Sequence, residues 1–241
     1  MYRTLQLLGT LALALAVPST AGATDPPDIA PPGKVEPLGD GKFKVGAVSF
    51  NKPQREIRFP ATVNMTEGLL EYAIVTENGK IHESLLSSKI RPLNLNIALL
   101  LLGYKESKAV LNPSIPASKR IPAASQKQLQ RAQLDISLEW TADEKTQRAF
   151  IETWLKTVPS GKPAPRGPFI YTGSDIYEGQ FVAEFDGNIA ALYLDPVAVF
   201  NNPRPGNFND ETWVAADRIP DIGTKVTVVL TPHQPAKSEK P

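Results

Sequence analysis

The chain has 241 residues, with 26 Lys and Arg against 25 Asp and Glu, a net charge of +1, and no cysteine. Such a balanced charge supplies no electrostatic drive toward nucleic acid or an anionic membrane surface, so neither is expected as a partner. The missing thiol excludes disulfides, thiolate zinc sites, cysteine-held iron–sulfur clusters and lipid attachment at cysteine, which leaves core burial to hold the fold.

In chain order, the first element reads as an export signal over residues 1–23. Arg3 precedes an apolar run from Leu5 to Val17, Pro18 breaks it, and Ala21-Gly22-Ala23 offers small residues for cleavage after Ala23. The run is short for a bilayer span, which needs about 20 apolar residues, so no membrane span is expected once the signal is removed. The mature chain is expected in the periplasm or outside the cell. Residues 24–40 carry Pro26-Pro27 and Pro31-Pro32 with few apolar side chains, the composition of an extended leader.

From residue 41 to 231 the pattern predicts one domain. Phe43 to Val45, Ala47 to Phe50 and Glu56 to Phe59 alternate apolar and polar residues with period two, as half-buried antiparallel strands do. Leu70 to Thr76 and Ile81 to Leu86 flank Asn78-Gly79, a pair suited to a two-residue hairpin turn. Pro92 to Leu102, ending at Gly103, predicts a core helix, and residues 105–127, rich in Pro, Ser and Lys, a mobile surface excursion. Leu134 to Trp140 alternates as a strand with one wet face. Thr141 and Glu144 fit a helix capping box, while Gln147 to Ile151 equally fits a returning strand. Pro168 to Thr172, Phe181 to Phe185, Ile189 to Leu194 and Lys225 to Leu230 read as strands, the middle two joined at Asp186-Gly187. Residues 232–241 read as a disordered tail, with His233 solvated. The fold class expected is α+β: a mostly antiparallel sheet with one core helix and a few short helical turns.

Candidate chemistry gathers in Gly79 to Leu86, which holds the one histidine outside the tail. On the expected hairpin, Glu71, His82 and Ser84 share a face, and Glu83 falls on the other. His82, Glu83, Ser84 and Glu71 are therefore candidate ligand-binding residues. His82 and Glu83 could hold a divalent ion, although one imidazole falls short of common zinc sets. A hydrolase would have His82 activate Ser84 with Glu71 orienting the ring, but catalytic serines sit on exposed turns beside an oxyanion hole. Thr172, Gly173 and Ser174 form a second candidate, a turn whose amides could converge on an anion or a carbonyl oxygen. Ordinary structural use is open to both sets, and no motif names a cofactor. Asn64-Met65-Thr66 matches a glycosylation triplet but suits turn chemistry.

The segments Arg58 to Asn64, Leu70 to Tyr72, Gly79 to Leu85, Ala98 to Gly103, Tyr171 to Ser174 and Ala183 to Ile189 together resemble the exported bacterial YdjY-domain proteins. That family carries no established activity. The resemblance implies export, one integrated domain over roughly Gly41 to Leu230, and a strand over Gln147 to Ile151 followed by a helical turn at Glu152 to Trp154. The function expected is a non-enzymatic binding or structural module of the cell envelope, with a small ligand or an envelope protein as partner.

Overall fold

The chain folds mainly into strands, some alternating between buried and partly exposed residues, as in Glu56–Val63, and others buried throughout, as in Tyr72–Thr76. A computed structural model describes residues 31–111 and 129–234. The expected signal peptide, the start of the leader, residues 112–127 of the excursion and the end of the tail lie outside the described residues. The strands are β1 (Val35–Gly39), β2 (Lys42–Val45), β3 (Val48–Asn51), β4 (Glu56–Val63), β5 (Tyr72–Thr76), β6 (Ser84–Ser88), β7 (Gln133–Ala142) and β8 (Lys145–Phe150). They continue as β9 (Leu155–Thr157), β10 (Phe169–Tyr171), β11 (Ile176–Tyr177), β12 (Gln180–Phe181), β13 (Asn188–Ala191), β14 (Phe200–Asn201), β15 (Trp213–Ala215) and β16 (Lys225–Pro232). Val35–Gly39, at the end of the stretch read as leader, pairs antiparallel with β2.

The strands β4-β16-β7-β10-β14-β13-β5-β6 pair in that order, and β6 pairs back onto β4 to close an eight-stranded barrel. The steps β13–β14 and β5–β6 are parallel; the others are antiparallel. Closure leaves the wall without an open edge. Along β4, Ile57, Phe59, Ala61 and Val63 point into the core, as do Val226, Val228 and Leu230 of β16. One long edge of β4 serves two strands: β3 takes Glu56 to Arg58 and β6 takes Thr62 and Val63. Pro60, with no N–H to offer a ladder, stands at the gap, and the Ser88 hydroxyl donates to its carbonyl at 2.6 Å.

The expected α+β fold with a core helix does not form; the chain is mostly β. The helix itself is present as α1 (Pro92–Leu101), with proline in its first turn and Gly103 at φ +73° ending it while the Tyr104 N–H reaches the Leu99 carbonyl. It packs on β2, β3 and the short helix Val182–Asp186 through Leu95, Ala98 and Leu99, and leaves Leu100 and Leu101 exposed. The barrel is already closed, so α1 covers part of the core instead of forming a second layer. β7 also differs from a strand with one wet face, because both faces are buried from Leu134 to Leu138.

The expected hairpin at Asn78-Gly79 is absent as well. A type I′ turn needs positive φ at both residues, and neither adopts it. Instead β5 and β6 run parallel, with Tyr72 opposite Ser84 and Ile74 opposite Leu86, and the chain returns through Glu77 to Glu83, including a 3₁₀ turn at Ile81–Glu83. Gly79 is needed for proximity: a Cβ there would lie 3.1 Å from the Asp186 carbonyl oxygen and 3.1 Å from the Val75 Cβ. Asp186-Gly187 does not join two strands either, since Val182–Asp186 is helical and Gly187 caps it at φ +72°. The turn between β7 and β8 does form, with Asp143 and Glu144 at φ 49° and 60°, and β8 leads into a 3₁₀ turn at Ile151–Trp154. The capping-box helix at Thr141 is absent there. His233 is not solvated: its Nδ1 lies 2.6 Å from the Asp135 carboxylate, in a half-sealed position beside β7.

Candidate functional site

The parallel return from β5 to β6 decides where the expected site residues go. Asn64 pins it, its side-chain amide donating to the Ile81 and Ser84 carbonyls at 2.5 and 2.7 Å. His82 is 77% exposed, with Nε2 3.7 Å from a Glu83 oxygen. Ser84 is fully buried, and its hydroxyl donates to the Lys80 carbonyl at 2.5 Å. Imidazole and hydroxyl thus belong to solvent and interior respectively, whereas a nucleophile and its base must share a hydrogen bond. Among the described residues, no group of three or more His, Asp or Glu converges as a metal site.

Glu71 and Glu83 do come together, with Lys80 between them at 3.9 and 3.5 Å and above the Tyr72 ring at 5.2 Å. Burial, and after it the charge of Glu83, pushes the Glu71 carboxyl above its ordinary range, while Lys80 pulls the other way. A carboxyl raised in the fold contributes stability that is complete below its unfolded pKa of about 4.3 and lost as pH climbs through the folded value. Glu71→Gln should therefore gain thermal stability relative to wild type between pH 4 and pH 7.5. Equal differences at both pH values in calorimetry would refute the shift.

Thr172, Gly173 and Ser174 close on themselves. Their amides donate to the Val199 and Ala198 carbonyls at 2.9–3.1 Å, so they do not converge on a free space. The Thr172 hydroxyl is bonded to the Ala198 carbonyl at 3.0 Å, and the Ser174 hydroxyl donates to the Val197 carbonyl at 2.5 Å and accepts the Ala183 N–H. Next to them lies a buried network that local pattern did not flag. Tyr72 donates to Asp195 Oδ2 at 3.1 Å and Asn188 to the same oxygen at 2.7 Å, while Asn201 Oδ1 accepts the Asp195 N–H at 2.8 Å. Burial first, then Asp195, pushes the Tyr72 phenol up, so it stays a neutral donor. The available signal was asparagine set in otherwise apolar strands, at Asn188 and at Asn201-Asn202.

A large concavity lies on the outside of the barrel. A groove of about 510 Å³ runs over β4, β16 and β7 to the end of β6, lined by Thr62, Glu77, Lys89, Glu139, Trp140, Lys225 and Thr227 among others. That volume is within the range of small-ligand sites, about 300–1,000 Å³. A neighbouring groove of about 340 Å³ shares Glu77, Ser88 and Lys89 with it. The register sets Thr62 beside Lys225, and Thr227 between Pro60 and Glu139, so these side chains line one outer face. No local motif could have predicted it, because its residues come from four strands distant in sequence. Glu77 links the groove to the return that carries Lys80 and His82.

A model of the YdjY domain matches residues 48–231. No curated protein and no solved structure matches the chain.

Proposed function

The chain belongs to the YdjY-domain family, and from that premise we propose that it is an exported, non-enzymatic binding module of the cell envelope whose ligand lies in the outer-wall groove. One observation carries this reading: a concavity of about 510 Å³ on the barrel wall is lined by ammonium, carboxylate and hydroxyl groups, with no histidine among its lining residues. Ser84, the hydroxyl beside His82 in sequence, is sealed and committed to a carbonyl. Glu71, Lys80, His82 and Glu83 form an adjoining polar contact surface. The basic start, apolar run and small residues of positions 1–23 support export.

Two measurements test the reading. Cell fractionation with N-terminal sequencing should find the protein outside the cytoplasm and beginning at Thr24. Thermal unfolding against soluble peptidoglycan fragments and envelope glycans should show a rise in melting temperature for at least one, absent in Thr227→Trp, which fills the groove. p-Nitrophenyl ester hydrolysis should stay at the buffer rate; turnover abolished by His82→Ala would defeat the non-enzymatic reading.

A further inference from the structure

Building on the groove reading, we infer that this groove takes a hydroxylated monocarboxylate, a sugar acid or a short glycan carrying one, with Lys225 receiving the carboxylate. The charges around the groove are not equal. Glu77 is paired with Lys89 at 3.7 Å. Glu139 is held by Arg58 and by Arg148, the latter at 3.5 Å. Lys225 has no carboxylate partner among the described residues; its ammonium donates to the Thr62 hydroxyl at 3.0 Å. The groove therefore presents one positive charge, at the exposed Lys225 on its lining, that no carboxylate among the described residues compensates, and an ammonium can make charge-assisted hydrogen bonds to a carboxylate.

The rest of the lining fits the remainder of such a ligand. Thr62 accepts from Lys225 and so keeps its own proton to donate, and Thr227 and Thr141 add hydroxyls on the same wall. Glu139 retains acceptor capacity for a ligand hydroxyl. A neutral sugar would leave Lys225 unanswered. A phosphate dianion would bring a second negative charge next to Glu77 and Glu139, and the other cation of the lining, Lys89, is already paired with Glu77.

Isothermal titration of the mature chain with glucuronate, glucose, acetate and glucose-6-phosphate tests the assignment. Glucuronate should bind with a saturable heat, and the other three at least tenfold more weakly. Lys225→Met should weaken glucuronate by about tenfold or more, the effect of losing a hydrogen bond to a charged group, and Lys225→Arg should hold it within about threefold. Circular dichroism of both variants should match wild type. Tighter binding of glucose-6-phosphate, equal binding of acetate, no saturable heat for glucuronate, or an unaffected Lys225→Met would each overturn the inference. If glucuronate fails while an envelope fragment still binds in a manner blocked by Thr227→Trp, the groove reading survives and the carboxylate assignment alone falls.

Discussion

Replacing Arg204 by methionine is expected to lower stability by about 3–5 kcal/mol at neutral pH, the usual cost of stripping one partner from a buried ion pair. The Arg204 guanidinium donates to Glu152 Oε1 at 2.5 Å, to the Gly167 and Pro165 carbonyls at 2.6 and 2.8 Å, and to Asn202 Oδ1 at 2.9 Å. Burial pulls Arg204 below its ordinary range, and the Glu152 charge opposes that pull. Glu152 is 2% exposed, and Arg166 reaches it at 3.3 Å before continuing to Asp135. Removing Arg204 leaves the Glu152 carboxylate in the interior with only the half-exposed Arg166 as a cation. The pair is costly to desolvate in the first place, so the double variant Glu152→Met, Arg204→Met should recover more than half of the loss. Urea unfolding provides the measurement. A single-variant change below about 1 kcal/mol would show the pair to be dispensable, since a typical neutral hydrogen bond nets about that much.

Gly187→Ala is expected to cost about 2–4 kcal/mol, from left-handed strain and crowding together. Gly187 sits at φ +72°, and a Cβ there would lie 2.9 Å from the Gly79 Cα and 3.0 Å from its nitrogen, with the Thr76 hydroxyl closer still. Two of those atoms are backbone and cannot swing away. Gly179 provides the control: its φ is +78°, with nothing within 4 Å of a built Cβ. Gly179→Ala should therefore show only the strain, about 1 kcal/mol. At roughly 2–4 °C per kcal/mol for a domain of this size, the two variants should separate clearly in melting temperature. Equal shifts would mean that the Gly79–Gly187 contact contributes nothing.

That contact also shows what sequence could and could not tell. Asn78-Gly79 and Asp186-Gly187 both look like hairpin turns, because Gly suits positive φ. In the fold the two dipeptides press against each other, and Gly79 is selected by space where Gly187 is selected by both space and dihedral angle. Proximity between residues so far apart leaves no periodic trace. Strands with strict alternation were legible: β2, β3, β4, β7 and β16 fall where period two sets them. Their order in the wall was not, because β16 enters between β4 and β7, and no local rule pairs those segments. The candidate site suffered from the same gap. Once β5 and β6 run parallel, the face expected to join Glu71, His82 and Ser84 no longer exists, and only the Glu71–Glu83 neighbourhood around Lys80 remains. The groove's residues carry no motif, and the ion pairs that neutralise Glu77 and Glu139 had to be seen in space.

The place of β16 in the wall has a consequence for synthesis. Lys225–Pro232 pairs with both Glu56–Val63 and Gln133–Ala142, so the cylinder cannot be sealed until residues 225–232 have left the ribosome. Until then two rims of unpaired amides stay open, a state prone to sticking to other chains. Such distant pairings make folding slow. A nascent chain that must be threaded across a membrane, as proposed for this one, would thus arrive at the far side with nothing to unravel.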